Sequence, residues 1–324
     1  MTKKIDPFQR MLLIIIVVYS VFVTIKNPGF FQIQTVFDII KTSSTTMIVA
    51  MGLLVVMISG GIDVSFMAIA LFGSYTSLYI MIQTGINNLA FAFAVSMANA
   101  VLISWLKLPP FIITLGTQNL FHGIMTTFIS DKSFGSGVLP ECLHKFGQGT
   151  LFKVATANGS TGLTVSLIPV LIAGLATYFI LRKTMIGRGI VAIGNDEESA
   201  RRAGFNPFKI RLFVYAYSGA LAGMMGIVYA AQVNALYPNK MVGDELMVVA
   251  AVVIGGTKIT GGQGKIFGAV LGVLITYLLN STLIMIGLSS SWNNLFVGAI
   301  LVVAVAITSY QERVKNRKHL IFTE

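Results

Sequence analysis

Residues 39–58 read IIKTSSTTMIVAMGLLVVMI, and residues 59–65 continue SGGIDVS, with another apolar run beginning at Val64. About 20 predominantly apolar residues in helical form span about 30 Å, the thickness of a bilayer's hydrocarbon core. The run is continuous and does not alternate, which excludes a strand of an outer-membrane barrel. Reading outward in both directions, the pattern recurs. The apolar runs are Met11–Ile25, Ile39–Ile58, Val64–Ile82, Leu89–Trp105, Phe111–Ile129, Leu163–Leu181, Leu212–Ala231, Leu246–Ile254, Ile266–Ile286 and Leu295–Thr308. About ten membrane helices are therefore expected, in an all-α polytopic integral membrane protein forming a single transmembrane domain over residues 1–324. The run Leu246–Ile254 is too short to span as a regular helix and is expected to be broken or tilted.

Composition agrees. Of 324 residues, 55% are hydrophobic and 11% charged, against about 25% charged in soluble domains. Mean hydropathy is +0.81. Disorder, collagen, coiled coil and a disulfide scaffold are excluded, the last because Cys142 is the only cysteine. The net charge of +11 does not indicate nucleic acid, because the bases sit in short polar segments between apolar runs and none occurs between Lys41 and Lys107. This is the positive-inside pattern. Threading the runs with the N terminus inside places 17 of the 23 bases on the cytoplasmic side and leaves Lys26, Lys41, Lys132, Lys145, Lys153 and Lys240 outside. Both termini are then cytoplasmic. The first run reads as a signal anchor, since Lys26-Asn27-Pro28-Gly29 offers no small-residue cleavage site.

Two loops stand out. Residues 130–162 form a long extracytoplasmic loop, a candidate contact surface, and the triplet Asn158-Gly159-Ser160 within it is given no role. Residues 182–211 form a cytoplasmic loop holding ten of the 35 charged residues. Inside the latter, Asn195 through Gly204 reads as one short helix. Asn195 is expected as N-cap with Glu198 completing a capping box. Asp196, Glu197 and Glu198 lie in the first turn and Arg201 and Arg202 in the last, complementing the helix dipole. Gly204 suits the left-handed C′ position, and Pro207 is expected to prevent the helix from resuming. So short a helix is marginal in water and needs a surface to pack on. Its own membrane face and a soluble partner are both candidates.

Paired glycines mark two cytoplasmic junctions, Gly60-Gly61 and the stretch Gly255-Gly256 to Gly261-Gly262 and Gly264. They are expected to serve helix packing or gating. Asp63, the only acid between Asp38 and Asp131, is expected to N-cap the helix that follows it, with a pathway role as the alternative. Asn99, Asn119, Asn280 and Ser281 are candidates either for polar contacts between helices or for a solute pathway. His122, within the fifth run, is a candidate either for a buried neutral imidazole with one hydrogen-bond partner or, with Asp63, Asn119 and Asn280, for that pathway.

Several functions are excluded. A phosphate loop ending at Gly264-Lys265 would need Gly at position 259 and Ser or Thr at 266, where Ile259 and Ile266 stand. No Thr-Val-Gly-Tyr-Gly filter and no His-Glu-x-x-His site occur, and one Cys with three His makes no metal cluster. The run interiors are nearly free of the ionisable groups that ion-driven carriers place there. A transport scaffold powered from elsewhere remains.

The chain resembles the permease subunits of bacterial ABC importers for simple sugars, the ribose-type and branched-chain-type permease superfamily. The resemblance is carried by Gly60-Gly61-Ile62-Asp63-Val64-Ser65, by residues 109–117 (PPFIITLGT), by Gly187-Arg188-Gly189 with Ala192 to Asn195, by Ala200 to Gly204, and by the block from Gly243 through Glu245 to Gly268. Departures are Phe66-Met67 after the first motif, His122 after the Thr-Leu-Gly string, and a lone Gly194 before Asn195. The resemblance implies a multi-pass subunit of the bacterial inner membrane that is not itself an enzyme and binds no cofactor. It implies a second permease subunit, a homo- or heterodimer, a cytoplasmic ABC ATPase holding ATP and Mg, and an extracytoplasmic solute-binding protein. It also implies that Asn195–Gly204 is the coupling region seated in the ATPase. Ribose-like sugars, autoinducer-2 and nucleosides all fit as solutes, and a stand-alone channel or facilitator is the rival of another class.

Overall fold

A computed structural model describes residues 6–105, 111–156, 159–238 and 244–289, with 292, 295, 298, 299, 302 and 306. Most of the run Leu295–Thr308, the cytoplasmic bases Lys107 and Arg313 to Lys318, Lys240, Gly243, Asn158 and the side chain of Asn99 lie outside the described residues.

The helices follow the apolar runs. They are α1 (Pro7–Lys26), α2 (Ile33–Ile58), α3 (Phe66–Thr84), α4 (Leu89–Trp105), α5 (Phe111–Ile124, continued by a π-helical turn Met125–Ile129) and α6 (Glu141–Gln148). A hairpin of β1 (Thr150–Thr156) and β2 (Gly159–Thr164) follows, antiparallel, with Val154 opposite Thr161. Then come α7 (Leu167–Lys183), α8 (Met185–Asn195), α9 (Glu197–Arg202), α10 (Pro207–Val233), α11 (Glu245–Ile254) and α12 (Ile266–Met285). Residues 130–162 are thus a folded cap of one helix and a hairpin, and α6 packs on α10 where Gly147 meets the Ala231 backbone.

Among the described residues, five helices are long and apolar enough to cross a membrane, and a sixth results if α7 and α8, bent by 77°, count as one span. Reaching ten requires α4, α5 with its π-turn, the half-length α11 and the run 295–308. α5 changes its hydrogen-bonding pattern midway, α11 has only 10 residues, and most of the run 295–308 lies outside the described residues.

α2 is the axis of the bundle. Every residue from Ser43 to Ile58 is buried, and α7, α10, α11 and α12 pack around it. Its polar side chains are satisfied within the protein: Ser44 Oγ donates to the Lys41 carbonyl at 2.6 Å, and Thr46 pairs with Tyr277 Oη of α12 at 2.6 Å. Hydrocarbon offers no such partners, so buried hydroxyls must find them within the protein. α1 and α7 instead present Ile14, Val18, Ile25, Leu175 and Phe179 outward. An exposed apolar surface of this extent is a lipid-facing one.

The segments that the charge pattern assigns to one side meet one another. On the outer side, Phe134 and Leu236 exchange backbone hydrogen bonds, and Asn87 Oδ1 accepts from Cys142 N at 2.8 Å. On the inner side, Lys265 Nζ and Asp6 Oδ2 pair at 2.6 Å.

Candidate functional site

The loop that the charge pattern assigns to the cytoplasm, a short helical knob, starts at a corner. Thr184 stands between α7 and α8, and its Oγ1 accepts from Gly187 N at 3.0 Å, capping α8. α8 runs through Asn195, whose Nδ2 donates back to the Val191 carbonyl at 2.8 Å. Asn195 is therefore in the last turn of α8 and does not cap the next helix. The cap is Asp196, extended at φ −160°, whose Oδ1 accepts from Ser199 N at 2.6 Å. Hydrogen bonds from the Ser199 side chain and backbone, with a smaller contribution from the Arg202 charge, hold the Asp196 carboxyl below the usual carboxylate range.

With the cap moved by one residue, Glu198 is not the partner in a capping box. It pairs with Arg202 at 3.4 Å, as Glu197 does with Arg201. Glu197 also bonds Arg211 on α10, tying α9 to the next span. Gly204 is left-handed at φ +87°, as expected for C′. Pro207 does not stop a helix; it opens α10 at N1, with Asn206 Oδ1 accepting from Lys209 N at 3.1 Å. Proline is tolerated there because N1 has no intrahelical N–H to lose. The short helix is seated on one side and free on the other. Ala200 is 3% exposed, while the side chains of Glu198 and Arg202 are 61% and 78% exposed. The same loop exposes Met185, Val191 and Phe208.

Behind the knob lies a glycine joint. A Cβ on Gly194 would strike the Ile58 carbonyl oxygen and lie 2.6 Å from Gly262 N. Gly262 N in turn donates to Ile58 O at 2.8 Å, and Gly262 is left-handed at φ +75°. Gly60 and Gly261 approach each other in the same joint, Gly264 packs on Leu54 and Ile58, and Gly61 lies under the Tyr215 hydroxyl. Gly255 abuts Gly268, and Gly256 lies under Phe8. The ends of α2 and α8 and the α11–α12 turn therefore meet backbone to backbone.

Asp63 sits beside this joint, 1% exposed. It does not cap α3 directly. Its Oδ1 accepts from Ser65 N at 2.9 Å and Ser65 Oγ at 2.5 Å, an Asx turn that sets Ser65 as the first residue before the helix.

The other sequence candidates are elsewhere. On α5, Asn119 is exposed, and His122 Nε2 lies 3.2 Å from the Pro238 carbonyl, so that nitrogen carries the proton. Asn280 is half-buried on α12, which packs on α2 and α11. Beside Asn119 is a pair that the sequence reading missed. Gln118 Nε2 donates to Glu245 Oε1 at 2.7 Å, with the residues 8% and 6% exposed. A signal existed: Asp244 and Glu245 are the only acids between Glu198 and Glu312, and they open the one run too short to span. At the outer end of α5 a cavity of about 360 Å³ is lined by Tyr79, Gln83, Thr126, Ser130, Asp131 and Phe134, among others.

Comparison with known proteins agrees with this architecture. Residues 35–305 match the family described as branched-chain amino acid transport system / permease component. The ribose import permease protein of Escherichia coli (strain K12) is 30% identical over 312 residues, covering 94% of each chain. That of Bacillus subtilis (strain 168) is 28% identical, covering 94% of this chain and 92% of its own. The autoinducer 2 import system permease protein of Yersinia pestis (strain Pestoides F) is 28% identical over 316 residues, covering 92% of this chain and 85% of its own. No solved structure matches. With its apolar spans and a family match over most of its length, this multi-pass inner-membrane protein belongs to the branched-chain amino acid transport system / permease component family.

Proposed function

We propose that the chain is the membrane subunit of an ATP-driven importer for a monosaccharide-type solute, of the kind that ribose and autoinducer 2 represent in its relatives' names. Two permease chains enclose the path. A separate cytoplasmic ATPase binds ATP and Mg, and an extracytoplasmic binding protein delivers solute to the outer cap.

The observation that carries this reading is the knob. α9 is anchored by Ala200 and by Glu197–Arg211, yet holds Glu198 and Arg202 outward. A surface held in this way suits a partner that pushes on it. Nucleotide can then bias the permease between outward- and inward-facing states, through the different affinity of each state for the ATPase's open and closed forms. The bend between α7 and α8 makes the knob a lever, since α8 is set at 77° to the span above it.

The test is copurification and uptake. Replacing Glu198 or Gly204 weakens association with the cognate ATPase while membrane insertion stays normal. Equal copurification of variant and wild type overturns the assignment of the knob. Uptake by the purified chain alone in liposomes, without nucleotide, overturns the importer reading in favour of a facilitator.

A further inference from the structure

The Gln118–Glu245 pair has a position that packing alone does not explain. α11 ends at the cytoplasmic glycines Gly255 and Gly256. Its 10 residues rise about 15 Å from there, half of a hydrocarbon core of about 30 Å. Glu245 therefore lies near the middle of the membrane, at the N-terminus of a helix that begins there. Gln118, on α5, reaches it at 2.7 Å.

A carboxylate at this depth is costly, and intramembrane acids belong to functional sites by default. A structural tie between α5 and α11 needs no acid, because two amides or two hydroxyls make the same link at lower desolvation cost. The surroundings point the same way. Asn119, the residue after Gln118, is exposed on α5, and added Cβ atoms at Gly116 and Gly123 would meet open space. Open space on this face of α5 leaves room for a path beside the pair. Farther out, the same helix reaches the cavity beside Thr126 and Tyr79.

We infer that Glu245 is a mid-membrane acceptor for the hydroxyls of a polyhydroxylated solute, with the Gln118 amide exchanging between the carboxylate and the solute. This rests on the solute-permease reading above. With no solute present, the amide donates to the carboxylate and the two side chains close the path. A solute carrying vicinal hydroxyls offers two donors in place of the Gln118 amide, opening the pair as it passes. The N-terminus of α11 adds a favourable dipole for the anionic carboxylate.

The experiment uses the complete complex, chain with ATPase and binding protein, in proteoliposomes, with radiolabelled D-ribose, D-xylose and D-galactose as probes. Failure of the wild-type complex to accumulate any of these three, or autoinducer 2 added as a fourth probe, on ATP refutes the importer reading beneath. Given wild-type uptake, Glu245→Gln lowers it about tenfold or more, the loss expected for one hydrogen bond to a charged group. The double variant Gln118→Glu with Glu245→Gln keeps an acid–amide pair but moves the carboxylate to α5. It melts like wild type and does not recover uptake. Recovery by the exchanged pair, or unchanged uptake in Glu245→Gln, overturns the inference, because a structural tie would tolerate the exchange. As a second measurement, Gln118→Cys in a Cys142→Ser background reacts with N-ethylmaleimide more slowly when the transported sugar is present. Reactivity indifferent to the sugar also overturns it.

Discussion

Gly194→Ala tests whether the knob is rigidly joined to the transmembrane core. Gly194 lies one residue before the end of α8. The added methyl would enter the Ile58 carbonyl oxygen and sit 2.6 Å from Gly262 N, whereas ordinary contact begins at 3.4 Å. The backbones must part by about 0.8 Å at Gly262 and by more at Ile58, and the 2.8 Å hydrogen bond between those two residues breaks. Overpacking of this kind costs about 1–3 kcal/mol, and the lost hydrogen bond about 0.5–1.5 kcal/mol. The total is roughly 1.5–4.5 kcal/mol, concentrated where α2, α8 and the α11–α12 turn meet. The assay is the ratio of ATP hydrolysed to solute imported in proteoliposomes holding the whole complex, beside the melting temperature of the detergent-solubilised chain. The ratio rises and the melt falls. Gly174→Ala is the control, since its Cβ meets nothing within 4 Å. A Gly194→Ala protein that melts and couples like wild type refutes the idea that force passes through this joint.

Asp63→Asn keeps an oxygen for the Ser65 N–H and is mild, while Asp63→Leu strands buried donors and lowers stability by about 1–3 kcal/mol; uptake abolished in a normally folded Asp63→Asn protein would instead make it a pathway residue. The depressed Asp196 carboxyl makes the α9 cap pH-sensitive in one direction. Its contribution is complete above the unfolded carboxylate range, about pH 4, and is lost as pH falls through the lower folded value. Protection of the Ser199 amide from hydrogen exchange should therefore drop only in that acid range, and in Asp196→Asn it should show no such step. In a Cys142→Ser background, Leu151→Cys and Ser199→Cys, both exposed, should react with an impermeant thiol reagent from opposite sides of the membrane; labelling from the same side would discredit the threading.

Membrane residence, the approximate spans and the place of the knob were legible from sequence because each is a local property. Apolar runs of helical length must find hydrocarbon, and the order of acids, bases and Gly204 around residues 195–204 describes a short helix whatever surrounds it. Even there, the boundary moved from Asn195 to Asp196, because Asn195 prefers the carbonyl of its own preceding turn. Pro207 read as a stop and serves as a start, since proline breaks a helix interior and suits its first turn equally well. The length of the outer cap was visible, but its helix and hairpin were not.

What depends on chain crossings belonged to the tertiary structure alone. Gln118 and Glu245 are 127 residues apart in sequence, and no local pattern records that an amide on α5 meets a carboxylate opening α11. The glycine joint is similar: its glycines are visible in sequence as breaks, but only the folded chain shows Gly194 lying against the Ile58 carbonyl and Gly262. Hydropathy acts on one segment at a time and so selects the solvent of each helix. Which helices touch, and which polar groups must satisfy one another away from water, is set by packing among segments distant in the chain.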